Sequence, residues 1–361
     1  MFAVNNPSDR VGRILIVRFS AIGDIILTLP VVDALRERFP EARIDYLTSK
    51  EYLELLGKHP GLKHIWPFDR ALGFPELRRL ARRLRQERYD LLVDLHYSLR
   101  SIYIRLFTGA FMTRSYRKLT FSRLLLRWAR INRLRNAPRV LDRYFTAVAD
   151  FGLQPRGRRP RLHLSDRAVE GAAQALLRAG VGPERPLLVI APGASHPTKR
   201  WPPPSFAAAA AALAAPDETI ALLGGSGDRE VAAEVGRGLA RAGLTALDLT
   251  GRLALAESAA VIGRARLVLT NDSGLMHVAD ALDRPLVAMF GPTSRELGFY
   301  PVGEKARVVE LPLPCRPCSL HGSDLCPQNH HRCLRELPVE AVIRAAEEAL
   351  AAVAPARAAS G

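Results

Sequence analysis

The chain has 361 residues and a mass of 39.7 kDa, enough for about two domains of ordinary size and too many for a small disulfide-dependent module. Hydrophobic residues make up 48% and charged residues 24%, as in a typical globular protein, which excludes collagen-like, coiled-coil and largely disordered structures. The excess of 52 basic over 36 acidic residues gives a net charge of +16 and favours an anionic partner.

The first apolar run, RILIV, ends at Arg18 without a small-residue cleavage site, so we expect a strand there and not a signal peptide. The turn FSAIGD follows, with Asp24 placed just before a helix over IILTLPVVDALRERF, and then a second strand, ARIDYLT. Residues 206–215 are the longest apolar stretch, about half of what a bilayer-spanning helix needs. We therefore expect no transmembrane segment and a cytoplasmic location.

The basic residues are concentrated in residues 70–161, which hold 23 basic and 6 acidic residues and so carry a net charge of +17. Within this window, PELRRLARRLRQERYD places four apolar residues on one helical stripe and surrounds them with arginines, which favours a surface helix with a solvated face. The stripe consists of Leu77, Leu80, Ala81 and Leu84. The strand YDLLVDL follows.

The segment 121–135, FSRLLLRWARINRLR, has an apolar helical face that contains Trp128 and is framed by arginines. Such a helix either lies at an acidic membrane surface or packs its apolar face inside the domain, and the sequence leaves both open. Helix-turn-helix, RNA-recognition and zinc-finger signatures are absent, so we expect no nucleic-acid partner.

The strand–helix alternation restarts after the turn-rich segment LQPRGRRPRLHL, with the apolar runs PLLVIAP, TIALLGG, TALDLTG, RLVLTND and PLVAMFG. This pattern predicts an α/β protein with two Rossmann-like, doubly wound parallel-sheet domains, 1–160 and 161–361, facing a central cleft. The glycine spacings of a nicotinamide-binding turn and of a P-loop are both absent, which makes a dehydrogenase and a P-loop NTPase poor alternatives.

Three polar turns follow strands of the second half and should converge at the carboxyl edge of its sheet. The sequence NDSGLMHVA predicts a strand-to-helix turn at Asp272, Ser273 and Gly274, with a helix starting near Leu275 and His277 in its first turn. Backbone amides at a helix N-terminus favour an anion such as a phosphate, although an ordinary N-cap with a buried histidine is equally compatible with the pattern. The other two turns are PGASHPTKRWP, with Lys199 and Arg200, and FGPTS, with Thr293.

Taken together, the segments RILIVRFSAIGDIILTLPVVDALRERFP, PGASHPTKRWP and TNDSGLMHVADALDRPLVAMFGPTS and the cysteine-rich C-terminus resemble the lipopolysaccharide heptosyltransferases of glycosyltransferase family 9. The resemblance covers nearly the whole chain. It implies a GT-B architecture whose first domain binds the acceptor and whose second binds the nucleotide sugar. It also implies transfer of L-glycero-D-manno-heptose from ADP-heptose to the phosphorylated lipid A/Kdo inner core, with inversion.

The same resemblance assigns roles to individual positions of this chain. It places the catalytic carboxylate at Asp24, with Ser20 and Gly23 in the neighbouring loop, and the donor-phosphate lysine at Lys199. It places the diphosphate loop at Asp272, Ser273, Gly274 and Leu275, with His277 one turn on. It matches Asp228 or Glu230, in GGSGDRE, to the acidic residue that contacts the donor ribose.

These roles make chemical sense. A sugar hydroxyl is a weak nucleophile, so a carboxylate that takes its proton accelerates attack by about 10² to 10⁴-fold. Cationic and amide donors stabilise the charge that develops on the leaving ADP. The sequence has no Asp-x-Asp segment to hold a metal on the diphosphate, so we expect no metal requirement for catalysis. A basic first half suits an acidic acceptor at the inner face of the cytoplasmic membrane.

All four cysteines lie near the C-terminus: Cys315, Cys318, Cys326 and Cys333. Thiols clustered in a cytoplasmic chain indicate either a structural zinc site or reduced, partly buried cysteines, because disulfides are disfavoured there. Two other functions remain as alternatives to heptosyl transfer: a GT-B enzyme that uses another nucleotide sugar for a different surface glycan, and a non-catalytic basic nucleic-acid-binding protein.

Overall fold

A computed structural model describes residues 11–116, 118–119, 121–122, 125–126 and 131–353. The chain divides into two compact units. Unit 1 comprises Met1–Leu119 and Pro138–His163, and unit 2 comprises Thr120–Ala137 and Leu164–Gly361.

Unit 1 is built on one parallel sheet. Its strands are β1 (Arg13–Val17), β2 (Arg43–Ser49), β3 (His64–Phe68), β4 (Leu91–Asp94) and β5 (Met112–Ser115). Its helices are α1 (Ile22–Arg38), α2 (Leu53–Leu56), α3 (Gly73–Gln86), α4 (Leu99–Phe107) and α5 (Val140–Phe145). The strand order is β3-β2-β1-β4-β5, so the chain reverses its direction of travel across the sheet between β1 and β4. The carboxyl ends of such neighbouring strands are where ligands bind in open α/β sheets.

Unit 2 repeats this plan with a larger sheet. Its strands are β6 (Leu187–Ala191), β7 (Thr219–Leu222), β8 (Ala246–Asp248), β9 (Ala265–Asn271), β10 (Leu286–Phe290) and β11 (Ala306–Glu310). Its helices are α6 (Asp166–Arg178), α7 (Pro203–Leu213), α8 (Arg229–Arg241), α9 (Leu255–Gly263), α10 (Gly274–Ala281), α11 (Arg332–Arg335) and α12 (Val339–Ala351). The order β11-β10-β9-β6-β7-β8 places the reversal between β6 and β9.

The central strands are apolar because both faces of each sheet are covered. All five residues of β6 and of β10 are buried, as are four of the five in β1. Helix α3 buries Leu77, Leu80, Ala81 and Leu84, the stripe that its sequence predicts, against the core of unit 1. Leucines buried to this degree contribute about 1.5–3 kcal/mol each relative to exposure.

Three strands were not anticipated, and all three are sheet edges. β3 contains Pro67 and exposes His64 and Pro67, β5 reads MTRS, and β11 is only half-buried along its length. Edge strands lack the continuous apolar run that identifies a central parallel strand, so their sequences give a weak signal.

Among the described residues, no helix is long and apolar enough to cross a bilayer. The amphipathic helix predicted over residues 121–135 falls largely on residues outside the described ranges, so it stays a prediction.

Candidate functional site

Asp24 lies in the first turn of α1, whereas the sequence pattern predicted that it lies just before the helix. The helix starts at Ile22, because Ala21 has the extended backbone of an N-cap, and Asp24 therefore occupies the third helical position. Gly23 is buried beside it. A carboxylate in the first turn interacts favourably with the positive end of the helix dipole.

The side chains of Arg18 and Tyr144 hold the Asp24 carboxylate. An Nη2 of Arg18 lies 2.6 Å from Oδ2, and the Tyr144 hydroxyl donates a 2.7 Å hydrogen bond to Oδ1. The Asp24 side chain remains 21% exposed. Since each carboxylate oxygen accepts more than one hydrogen bond, Asp24 is oriented by the protein and still accessible to a further donor.

Arg18 also forms hydrogen bonds with backbone carbonyl groups that follow two strands of the sheet. Its Nε donates to the Ser20 carbonyl at 2.7 Å, and its Nη1 donates to the carbonyl of Leu95, just after β4, at 2.6 Å. Its guanidinium also lies 5.5 Å from the centre of the Tyr144 ring. Arg18 thus spans the carboxyl ends of β1 and β4, the reversal point of the sheet.

Three groups around Asp24 have strongly shifted pKa values. Burial works to lower the pKa of Arg18, but Asp24 and neighbouring tyrosine oxygens raise it above its usual value. Burial, most of all, raises the pKa of Tyr144 well above 10, so its phenol stays a neutral donor. Burial and the charge of Arg18 lower the pKa of His96 to about 3, so its imidazole is neutral near pH 7.

In unit 2 the turns after β6, β9 and β10 come together, as the sequence predicts. Asn271, fully buried at the end of β9, accepts a hydrogen bond from the Trp201 amide at 2.9 Å and donates to the Pro192 carbonyl at 2.7 Å. The Asp272 amide donates to the carbonyl of Met289 in β10 at 3.1 Å. One amide side chain therefore ties two of these loops together at the reversal point of this sheet.

Lys199 and Asp272 form an ion pair at this edge. The Lys199 Nζ lies 2.7 Å from Asp272 Oδ2, and the Thr293 hydroxyl donates to the same oxygen at 2.7 Å. The two charged side chains are only about one-tenth exposed, at 10% and 9%. The site thus contains an ammonium group whose charge is balanced by a carboxylate.

Asp228 lies at the same carboxyl edge of the unit 2 sheet, whereas Glu230 is exposed on α8. The Gly225 amide donates to Asp228 Oδ2 at 2.9 Å, and Arg200 lies 3.6 Å from Oδ1. A Cβ placed on Gly193 would lie 2.2 Å from the Asp228 carboxyl carbon, so only glycine permits this approach. Of the two acidic residues that the sequence left open, Asp228 is the one brought to the loop after β6.

The turn that precedes α10 is formed by the predicted residues. Helix α10 starts at Gly274, and Ser273 is its N-cap, with its hydroxyl 3.1 Å from that of Thr270. Leu275 is partly exposed and His277 is buried in the helix. The helix therefore points its amino end towards the edge that carries Lys199 and Asp272.

The cysteine-rich segment, residues 315–333, packs onto the loop after β6 that contains Lys199. The Ser323 amide donates to the Thr198 hydroxyl at 2.9 Å, and the hydroxyl returns a 2.6 Å bond to the Ser323 carbonyl. His331 Nε2 lies 2.9 Å from the Thr198 carbonyl oxygen. Gly322, at φ +93°, lies so close that a Cβ there would be 2.9 Å from the Lys199 side chain. The segment therefore fixes the position of the lysine.

The four cysteines are free thiols, and they lie near enough to influence one another. Burial, with a further contribution from Cys318, Cys326 and Cys315, raises the pKa of Cys333 to about 11. Within the described part of the chain, no group of three or more His, Cys, Asp or Glu side chains is arranged to hold a metal ion. The structure therefore adds no support to the predicted zinc site, which stays a prediction.

Sequence reasoning missed Arg18, Tyr144 and His96. Arg18 gave a usable signal, because a charged residue that directly follows a buried strand must find a partner. Tyr144 gave none, since it lies 120 residues from Asp24 in the chain.

The sequence model of glycosyltransferase family 9 (heptosyltransferase) matches residues 77–327, more than half of the chain. The chain belongs to glycosyltransferase family 9. It is 31% identical to lipopolysaccharide heptosyltransferase 2 of Salmonella typhimurium over 309 residues, which cover 83% of this chain and 88% of that protein. As a member of this family, the chain is a glycosyltransferase.

Solved structures give the same result for the fold. The Escherichia coli ADP-heptose LPS heptosyltransferase II matches with a TM-score of 0.73 and 26% identity over 94% of this chain and 99% of that one. A family 9 glycosyltransferase from Veillonella parvula matches with a TM-score of 0.79 and 23% identity, over 94% and 98%. The predicted GT-B fold class, with two Rossmann-like parallel-sheet domains, is confirmed.

The neutral His96 predicts a pH dependence of stability. Because its pKa is about 3 when folded and near 6.5 when unfolded, the unfolded chain binds the proton first as pH falls. Stability from this group is complete above pH 6.5 and is lost towards pH 3, by up to about 1.4 kcal/mol per pH unit. In His96→Gln, the free energy of opening of β1 and β4, measured by hydrogen exchange between pH 6.5 and 4, should vary less steeply with pH. A slope equal to that of wild type and of the exposed control His64→Gln contradicts this prediction.

The bond from Thr293 to Asp272 predicts a stability effect in unit 2. Thr293→Val keeps the shape but removes the hydroxyl that donates to a buried carboxylate, which should cost about 1.5–3 kcal/mol. Hydrogen exchange of the β9 and β10 amides measures the change. Thr113→Val, on the exposed edge strand β5, is the matched control and should cost less than about 0.5 kcal/mol. Equal costs in the two variants would refute the role of this bond.

Proposed function

We propose that this glycosyltransferase transfers L-glycero-D-manno-heptose from ADP-heptose to the inner core of lipopolysaccharide, with inversion at the anomeric carbon. Two similarities support this activity. The Salmonella relative is named for heptosyl transfer to lipopolysaccharide, and the Escherichia coli structure is named for ADP-heptose as well. Both cover most of this chain.

Asp24 is the proposed general base. The observation that carries this role is a carboxylate held by Arg18 and Tyr144 at the reversal point of the unit 1 sheet and still 21% exposed. Both partners are donors, so they fix the direction of the carboxylate without removing its capacity to accept the proton of an acceptor hydroxyl. His96 and Tyr144 are neutral and do not compete for that proton at neutral pH.

The donor diphosphate is proposed to bind at the edge of the unit 2 sheet. The Lys199 ammonium, the Ser273 hydroxyl and the amides at the start of α10 are the donors available to the charge that grows on the leaving ADP. In the structure the Asp272 carboxylate neutralises the Lys199 ammonium, so an incoming diphosphate would either share the lysine with Asp272 or replace Asp272 as its partner. Asp228 is proposed to accept hydrogen bonds from the donor ribose.

The acceptor is proposed to be the phosphorylated lipid A/Kdo core, presented at the inner face of the cytoplasmic membrane. The basic window 70–161, whose residues belong mostly to unit 1, supports an acidic partner of this kind. We propose that the enzyme is cytoplasmic and peripheral to that membrane. We also propose that catalysis needs no metal, since the sequence lacks an Asp-x-Asp segment.

Nucleotide selectivity separates this function from its alternatives. A ligand that binds only the folded state stabilises it by about 2.7 kcal/mol at a concentration 100 times its Kd. We expect ADP-heptose and ADP to raise the thermal midpoint of the protein and UDP to leave it near the ligand-free value. Stabilisation by UDP in place of ADP would indicate another nucleotide sugar, and stabilisation by duplex DNA alone would indicate the nucleic-acid alternative.

The general-base role predicts the behaviour of Asp24→Asn. The amide keeps the size of the side chain but cannot accept the proton, so kcat should fall by at least about 100-fold while ADP still binds. Asp33→Asn, about two and a half turns along α1, is the matched control and should retain kcat within about threefold. Turnover of Asp24→Asn equal to that of the control removes Asp24 from the mechanism.

A further inference from the structure

Helix α4 of unit 1 presents an apolar face to solvent. Ser101 and Ile104 are its buried residues, and the side opposite them carries Leu99, Ile102 and Leu106. These three positions follow the i, i+3, i+7 spacing of a single helical face. Leu99 is 87% and Leu106 is 68% exposed, the reverse of the usual amphipathic pattern.

Aromatic side chains extend this face beyond α4. The Tyr103 ring lies 4.4 Å from Phe107 and 5.1 Å from Phe74, at the start of α3. Phe74 and Phe107 are 60% and 50% exposed, and Phe111, just after α4, is 78% exposed. The ring contacts join the apolar residues of α4 to Phe74 on α3, and this combined surface is called the α3–α4 face below. Exposed apolar residues that are grouped in this way mark an interaction surface more often than single ones do.

Arginines border the α3–α4 face. On α3, Arg78, Arg82 and Arg85 continue the helical stripe that begins at Phe74, and all three are exposed. Arg85 approaches Gly109, two residues after α4, where a Cβ would lie 3.8 Å from the Arg85 Cγ. Arg100 is exposed on α4 itself. The border is therefore cationic while the centre is apolar.

We propose that the α3–α4 face is a docking surface for an anionic lipid bilayer. Apolar and aromatic side chains that enter the acyl boundary while arginines contact anionic headgroups are the two contributions that hold a protein in the membrane interface. Charge complementarity favours this occupant over a second copy of the chain, because a symmetric contact would bring the arginine borders together. This inference rests on the proposed function, whose acceptor is carried by a membrane.

The test is flotation of the full chain with vesicles of phosphatidylethanolamine and phosphatidylglycerol. We expect wild type to float with them, less so at high salt, and to bind weakly to phosphatidylcholine vesicles. Leu99→Ser/Leu106→Ser should lower the partition coefficient at least about tenfold, because both leucines lose their burial in the interface. The matched control Leu177→Ser/Leu325→Ser changes two leucines of unit 2 with similar exposure, 66% and 80%, and should bind like wild type.

A second pair of variants tests the charged border. Arg78→Gln/Arg82→Gln should weaken binding to the anionic vesicles by about fivefold per arginine and leave the weak binding to phosphatidylcholine unchanged. The control Arg178→Gln/Arg241→Gln, on α6 and α8, should bind like wild type.

Several outcomes would overturn the proposal. They are no flotation of wild type at low salt, equal losses in test and control variants, a change of oligomeric state in Leu99→Ser/Leu106→Ser, or a loss of its thermal stability without a loss of vesicle binding. The last two would assign the face to a second copy or to an intramolecular contact. Transfer to a detergent-dispersed acceptor separates this proposal from the proposed function. It is measured in parallel, and Leu99→Ser/Leu106→Ser should not change it. A wild type that floats but transfers no heptose would refute the proposed function without refuting the docking surface.

Discussion

The ion pair between Arg18 and Asp24 is the interaction on which the candidate chemistry of unit 1 depends. A guanidinium that is almost fully buried must have a carboxylate and further acceptors, and Arg18 finds them in Asp24 and in two carbonyls at the ends of neighbouring strands. Removing one member of such a pair typically costs 3–5 kcal/mol, because the other charge is left buried. The same contacts that stabilise the fold at this point therefore also fix the direction of the proposed base.

Unit 2 holds its candidate donor groups with one ion pair and with hydrogen bonds from neutral side chains and the backbone. Asn271 links the loops that follow β6 and β9, and the cysteine-rich segment brackets Thr198, next to Lys199. The lysine is thus held from two sides, by Asp272 and by a segment more than a hundred residues further along the chain. Donors fixed in this way need little reorganisation when charge develops on a leaving group, which is the largest source of rate acceleration in many enzymes.

The sequence predicts the centre of each sheet well and its periphery poorly. RILIV coincides with β1 residue for residue, and the stripe of α3 is buried as its spacing indicates, because burial on both faces leaves a clear apolar pattern. The edge strands β3, β5 and β11 were missed since half-exposed strands need no such pattern. Asp24 was placed before its helix because the polar turn masked a helix that starts at Ile22 without a conventional capping side chain.

In the candidate site, too, some residues can be predicted from the sequence and others cannot. Turns that follow central strands, such as those with Lys199 and Asp272, are readable from the chain because parallel strands end at a common edge. Tyr144, which reaches Asp24 from a distant helix, is defined only by tertiary packing. The α3–α4 face also became visible only when exposure was known, because apolar residues on α4 resemble core residues in sequence.

The most direct measurement is heptosyl transfer itself, with the purified full chain, ADP-heptose and a panel of lipopolysaccharide acceptors truncated within the inner core. We expect one acceptor to gain the mass of one heptosyl unit, an equal amount of ADP to be released, and the new linkage to have the inverted anomeric configuration. Acceptors of unchanged mass, or a product that retains the configuration of the donor, would contradict inverting heptosyl transfer.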